Sequence, residues 1–351
     1  MSGQPRLSFD TSAVNALADS KDWGALLAGI RSGYFSRITF TSIAETVATS
    51  DAGRRNRLFD ILNTLHLNGE YLEAHQWILT QLVQNYEKYG SSRWDSLNLR
   101  FEECEISIAR RELSDAESKE EREFAPTVEK QFFAPFTDTR PKFEQVFADG
   151  TARPTSADEL FAHLKGEGGA FWIMAAGLYE RAAGRRPTEE QVRAFVEECP
   201  PFRALMLGLV HAQFEWAIRE KQAKKDKRVG RIDLFCAIYL PYCDLFITND
   251  DEQRRCLREI AAAANLPVEI LSFSDFRDRL MPPHLSIGAR VAIAGLAIAV
   301  GVGFHRDVLP VHAELPIPAE PSQLTASVTF TPTANVAAFV VSNIFNPERT
   351  K

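Results

Sequence analysis

Four acidic residues stand where this chain would concentrate chemistry. Asp10 closes the apolar run Arg6–Phe9, and Glu45 follows the β-branched and aromatic run Arg37–Phe40. Asp233 opens the apolar stretch Asp233–Tyr242, and Asp250 follows the run Leu245–Thr248. In open α/β sheets, ligands collect beyond the carboxyl ends of the strands, near the point where strand order reverses. Carboxylates gathered there repel one another, which raises the pKa of one or more unless a cation intervenes. An all-oxygen donor set suits Mg²⁺ or Mn²⁺ better than zinc. An ion so held makes hydroxide from water and neutralises charge on a scissile phosphate. Each residue also has a plainer role. Asp10 and Asp233 fit helix N-caps, Glu45 fits a capping box with Ser42, and Asp250 and Asp251 fit the negative charge favoured at a helix start. Side-chain alternation along a strand assigns Asp250 to the ion, with Thr248 bracing it, and leaves Asp251 as a supporting residue or the helix cap.

The elements that must position these residues alternate between strand and helix patterns. Arg6–Phe9, Arg37–Phe40 and Thr64–Leu67 read as strands, the last stopped by Asn68-Gly69. Helical patterns run from Val14, over Asp22–Ile30, from a cap at Thr41 or Ser42, over Arg54–Leu62 and over Glu70–Lys88. From about Tyr89 to Ala223 the chain reads as helix after helix, with capping boxes at Ser156/Glu159 and Thr188/Gln191. Phe171, Trp172, Phe195, Phe202, Phe214 and Trp216 lie on these patterns and are expected to form that block's own core. Alternation resumes with a buried helix over Asp233–Tyr242, a strand at Leu245–Thr248, a helix over Asp251–Asn265 and a strand at Val268–Ser272. The expected fold class is therefore α/β, a doubly wound, mostly parallel sheet interrupted by an α-helical insertion. Residues 1–89 and 224–280 would make the α/β domain, 90–223 the insertion, and 281–351 a C-terminal extension with strand-like runs at Gln323–Phe330 and Ala334–Val341.

Composition narrows the function classes. The chain has 351 residues, with 45% hydrophobic, 25% charged and a net charge of −7, so it carries no general cationic coat for nucleic acid. Any such contact must be local. The run Arg219–Arg231 provides it, with Lys224, Lys225, Lys227, Arg228 and Arg231 as a phosphate-backbone track leading to Asp233; the plainer reading is a solvated linker. Five cysteines without a C-x-x-C pair, and an amino terminus that leads straight into a strand-like run, point to reduced thiols in a cytoplasm. Val291–Phe304 is continuously apolar but shorter than the ~20 residues of a membrane-spanning helix, so no membrane is expected. Histidines show no metal-binding spacing, Lys165–Gly169 lacks the P-loop pattern, and nothing resembles a nucleophile elbow.

Phe9-Asp10-Thr11-Ser12, Thr41-Ser42-Ile43-Ala44-Glu45, Arg231-Ile232-Asp233 and Phe246-Ile247-Thr248-Asn249-Asp250 together resemble the PIN domain, in its order. The resemblance covers roughly Arg6–Tyr89 and Val229–Phe273. It implies that Asp10, Glu45, Asp233 and Asp250 hold Mg²⁺ or Mn²⁺ and cut RNA, with Thr248 in support. It also brings up a toxin–antitoxin role, with an antitoxin or other protein partner, and an oligomer. The helical insertion and the C-terminal extension depart from the compact toxin type. Two other readings stand beside it. One is a non-catalytic scaffold that binds RNA or a protein through the insertion. The other is a phosphatase of the haloacid-dehalogenase type with Asp10 as nucleophile, weakened because Ser12 stands where that family carries a second aspartate.

Overall fold

The structure is a computed structural model and describes residues 3–101, 115–150, 152–166, 170–219 and 228–281. Five strands, β1 (Arg6–Phe9), β2 (Phe35–Ile38), β3 (Gly69–Tyr71), β4 (Leu245–Thr248) and β5 (Glu269–Ser272), form one sheet in the order β3-β2-β1-β4-β5, with every pairing parallel. The α/β class is therefore observed. The chain winds outward from β1 to β3 on one side, then returns to lay β4 on β1's other edge, so the strand order reverses between β1 and β4.

Alternation along the strands sends side chains to opposite faces. Leu7, Phe9, Ile38, Leu245 and Ile247 enter one core with α1 (Thr11–Asp19), α2 (Trp23–Gly33), α4 (Ala52–His66) and α13 (Phe273–Leu280). Phe246 and Ile270 enter the other. That second core also takes α5 (His75–Tyr89) and the helices between β3 and β4: α6 (Asp115–Ala148), α7 (Ala157–Leu164), α8 (Ala170–Ala183), α9 (Glu189–Glu198) and α10 (Pro200–Gln213). Phe171, Trp172, Phe195, Phe202 and Phe214 thus share one continuous core with the sheet, rather than enclosing a core of their own. Among the described residues no helix is long and apolar enough to cross a membrane, and Val291–Phe304 lies outside them, as do the strand-like runs at 323–330 and 334–341.

Several expected elements differ: the second strand is Phe35–Ile38 rather than Arg37–Phe40, since Phe40 already begins a helix, and the helix expected over Glu70–Lys88 starts at His75. Thr64–Leu67 is not a strand, because α4 continues to His66; Leu58, Ile61, Leu62 and Leu65 keep one buried helical stripe through the segment. The third strand is Gly69–Tyr71, and Gly69 belongs to it rather than ending it. A Cβ at position 69 would lie 2.1 Å from the Ser36 carbonyl oxygen, so only glycine lets β3 pair with β2. The expected helix over Asp233–Tyr242 splits into α11 (Arg231–Phe235) and a 3₁₀ segment, Cys236–Tyr242. Pro241 has no amide to return to Ala237, which favours the tighter turn. The Thr188/Gln191 capping box forms, whereas Glu159 reaches past Ser156 to the Thr155 amide at 2.7 Å. Four described cysteines, Cys199, Cys236, Cys243 and Cys256, are free and buried; Cys104 lies outside the described residues.

Candidate metal centre

Asp10 directly follows β1 and caps α1, accepting from the Ala13 amide at 2.7 Å. Ser12 Oγ lies 2.7 Å from its Oδ2, and the Thr248 hydroxyl reaches the same oxygen at 2.9 Å. Asn249 N–H donates to Ser12 Oγ at 2.8 Å, tying the end of β4 to the start of α1. Burial pushes the Asp10 carboxyl up to about 6, against these hydrogen bonds, which lower it. Capping and a place at the strand edge therefore coincide in one residue.

Glu45 sits in the interior of α3 (Phe40–Val47), not in a capping box. The cap is Thr39, whose hydroxyl accepts from the Ser42 amide at 3.3 Å, and Ser42 Oγ donates instead to the Phe9 carbonyl at 2.8 Å. The expected cap at Thr41 or Ser42 is thus displaced toward the strand, because Ser42 is drawn to β1. With no capping duty, Glu45 is desolvated, and its carboxyl is pushed up to about 7. The neighbouring Thr11 hydroxyl lowers it, Asp10 and Glu129 raise it, and Arg231 lowers it.

Asp233 lies in the first turn of α11 and accepts from the Gly230 amide at 2.9 Å. It too is pushed up to about 7, first by desolvation and then by the charges of Glu45, Asp10 and Asp250, while the Gly230 hydrogen bond lowers it. The crossing of α10 over α11 is close: a Cβ at Gly208 would stand 3.1 Å from the Leu234 carbonyl oxygen.

Asp250 follows β4 and is itself the N-cap of α12 (Asp251–Ala263), accepting from the Glu252 and Gln253 amides at 2.9 and 3.0 Å. The cap that was one of the roles expected of Asp251 belongs to Asp250. Asp251 is exposed and pairs with Arg254 at 2.7 Å, because residue 250 is the last extended residue and residue 251 already begins the helix. Thr248 is fully buried. Besides Asp10, its oxygen meets Gln253 Oε1 at 2.5 Å and receives the Asp250 amide at 3.0 Å.

The site is therefore an arc of four carboxyls around the switch point between β1 and β4. None of the four has an ion-pair partner among the described residues. A fifth carboxylate, Glu129 of α6, was not expected. It accepts from the Arg231 amide at 3.0 Å, with its other oxygen 3.7 Å from Arg231 Nε, and its charge acts on Glu45. Nothing local in the sequence marks it, since its place depends on α6 crossing the sheet edge.

Arg231 is largely buried beside Glu129 and Phe235, so it balances charge inside the site instead of lying on an exposed track. Arg228 lies with its guanidinium 5.0 Å from the Trp216 ring. Lys224, Lys225 and Lys227 fall outside the described residues. By donor chemistry the four carboxyls suit a hard divalent cation, which would offset the desolvation that raises three of them and the repulsion that adds to it at Glu45 and Asp233. Among the described residues, no three His, Cys, Asp or Glu side chains converge closely enough to hold one ion between them. Comparison of the chain with protein-family models, curated proteins and solved structures gives no match.

Proposed function

We propose that the protein is a Mg²⁺- or Mn²⁺-dependent nuclease of PIN type acting on RNA in the cytoplasm, with Asp10, Glu45, Asp233 and Asp250 as its ligating carboxyls. The observation that carries this reading is the set of raised carboxyls at the strand-order switch point: desolvation lifts Asp10, Glu45 and Asp233, and the charge of Asp10 adds to the rise of Glu45 and of Asp233. Desolvated carboxyls cost stability when charged, and strongly raised carboxyls gathered at one place are functional-site candidates. A divalent ion, when bound, would neutralise charge on the scissile phosphate and lower the pKa of an attacking water.

The chain's own groups do the rest. Asp10 is oriented by Ser12 and Thr248, and Asp250 is fixed by two amides of α12, so these two are held before any ligand arrives. Glu45 and Asp233, the latter held by the Gly230 amide, would complete the carboxyl set. Deprotonation of Glu45 and Asp233 near neutral pH readies the site for a cation. Lys224, Lys225, Lys227 and Arg228 would guide the phosphate backbone, and an antitoxin or other partner could regulate access.

The test is cleavage of mixed RNA and DNA substrates by the purified protein with Mn²⁺ and with chelator. Cleavage of RNA that needs Mn²⁺ supports the reading. No cleavage and no Mn²⁺ binding would leave a binding scaffold.

A further inference from the structure

Beside Glu45 the chain forms a cleft of about 270 Å³, bounded by α3, the first turn of α5, α6 and α11. It lies at the lower edge of the roughly 300–1,000 Å³ of ligand pockets, which suits one ring system rather than a long chain. Three phenylalanines, Phe40, Phe124 and Phe235, line it, and His75 stacks on Phe235 with ring centroids 4.1 Å apart and planes at 23°.

His75 is buried, and neither ring nitrogen has a hydrogen-bond partner among the described residues. Burial lowers its pKa to about 3, so the ring is neutral and can give or take one hydrogen bond. The N-cap of α5, Ala74, supplies no side-chain acceptor, and the His75 amide meets the Tyr239 hydroxyl instead. Gln76 adds an amide that both donates and accepts. Flat apolar walls with a few unmet polar groups describe a site for an aromatic heterocycle bearing ring nitrogens and keto or amino substituents.

We propose that this cleft binds a single nucleobase, that of the nucleotide next to the phosphate presented to Glu45. The placement beside the phosphate rests on the nuclease reading; the base site itself rests on the cleft. An aliphatic side chain from a protein partner would leave the His75 ring unsatisfied, which disfavours that occupant.

Calorimetric titration of the full chain with adenosine and with uridine, in chelator, tests the site without metal or cleavage. Ribose and toluene serve as controls. Nucleosides should bind and ribose should not. Phe124→Ala removes one stacking wall from a half-buried position and should weaken nucleoside binding roughly five- to hundred-fold. Ala48→Phe fills the cleft and should abolish it, with the circular dichroism of both variants unchanged. If Ala48→Phe fails to fold, Phe124→Ala alone decides. Nucleosides no tighter than ribose, or a folded Phe124→Ala variant that binds like the parent, overturn the proposal. Toluene binding with nucleosides excluded overturns it in favour of a protein side chain. Nucleoside binding without Mn²⁺-dependent cleavage removes the nuclease reading and keeps the base site; the converse removes the base site alone.

Discussion

Asp10 and Thr248, 238 positions apart in the chain, share a hydrogen bond of 2.9 Å where the strand order of the sheet reverses. The register behind it pairs Phe9 with Ile247, so the residues beyond those positions leave the sheet side by side. The same Thr248 oxygen receives the Asp250 amide, which makes one buried hydroxyl the joint between two carboxyl-bearing strand ends.

Replacing that hydroxyl tests the joint. Thr248→Val keeps the shape but leaves the Asp250 amide without its acceptor and Asp10 Oδ2 with Ser12 alone. It should cost about 1–3 kcal/mol in denaturant unfolding and weaken Mn²⁺ binding about 10–100-fold. Thr248→Ser should restore most of both. A valine variant with parental Mn²⁺ affinity would remove Thr248 from the site.

Asp10→Asn and Asp233→Asn should each lower Mn²⁺-dependent cleavage at least about a hundred-fold, since each deletes an anionic oxygen donor at nearly constant volume. Both should fold, and both should melt at or above the parental temperature at pH 8. The gain arises because the parent must carry buried negative charge that the amide does not. Undiminished cleavage by either purified variant would sink the assignment.

The pH dependence has a definite sign. Asp10, Glu45 and Asp233 sit at about 6, 7 and 7 in the folded protein, above their ordinary values of 3.8, 4.5 and 3.8. Between those limits the folded chain holds protons that the unfolded chain has released, so these groups lower metal-free stability as pH climbs from about 4 through 7. Bound Mn²⁺ removes the penalty. Its affinity should therefore rise between about pH 5.5 and 8, and binding at pH 6.5 should release protons. Calorimetry in buffers of different ionisation enthalpy reads that release directly; none at pH 6.5 contradicts the arrangement.

Gly69→Ala should destabilise the fold by about 1–3 kcal/mol or more, because its Cβ would meet the Ser36 carbonyl at 2.1 Å and the backbone cannot yield without parting β3 from β2. Gly24→Ala, where an added Cβ meets nothing within 4 Å, is the matched control and should be neutral or slightly stabilising. Equal melting temperatures for the two would contradict the close approach.

Much of the sheet was legible because β1, β4 and β5 are short runs whose period differs from that of the helices around them, whereas β2 lies two residues before its expected place. β3 was not, since its key residue is a glycine demanded by a neighbouring strand. A local reading takes Asn68-Gly69 as a stop and lets Leu65, which belongs to the helix stripe, suggest a strand. Asp10, Glu45, Asp233 and Asp250 were singled out from expected places at strand and helix ends, which Asp10, Asp233 and Asp250 occupy while Glu45 lies inside α3. Their exact duties were less accessible, because caps shift by one to three residues when tertiary contacts compete. Ser42 turns to the Phe9 carbonyl, and Asp251 yields the cap to Asp250. Glu129 carries no such positional mark, and only the packing of α6 brings it near Glu45.

The strand order has a consequence for synthesis. β1 is central, yet the strand that completes its second edge comes from the far end of the fold, with the long helical block in between. A nascent chain emerging from the ribosome presents Asp10 and Glu45 early, but it cannot bring Asp233 and Asp250 beside them until translation has passed β4. The carboxyl arc is thus latent throughout vectorial synthesis. Any product truncated before residue 245 is left with an unpaired β1 edge, a dangling half-site and a target for proteolytic clearance.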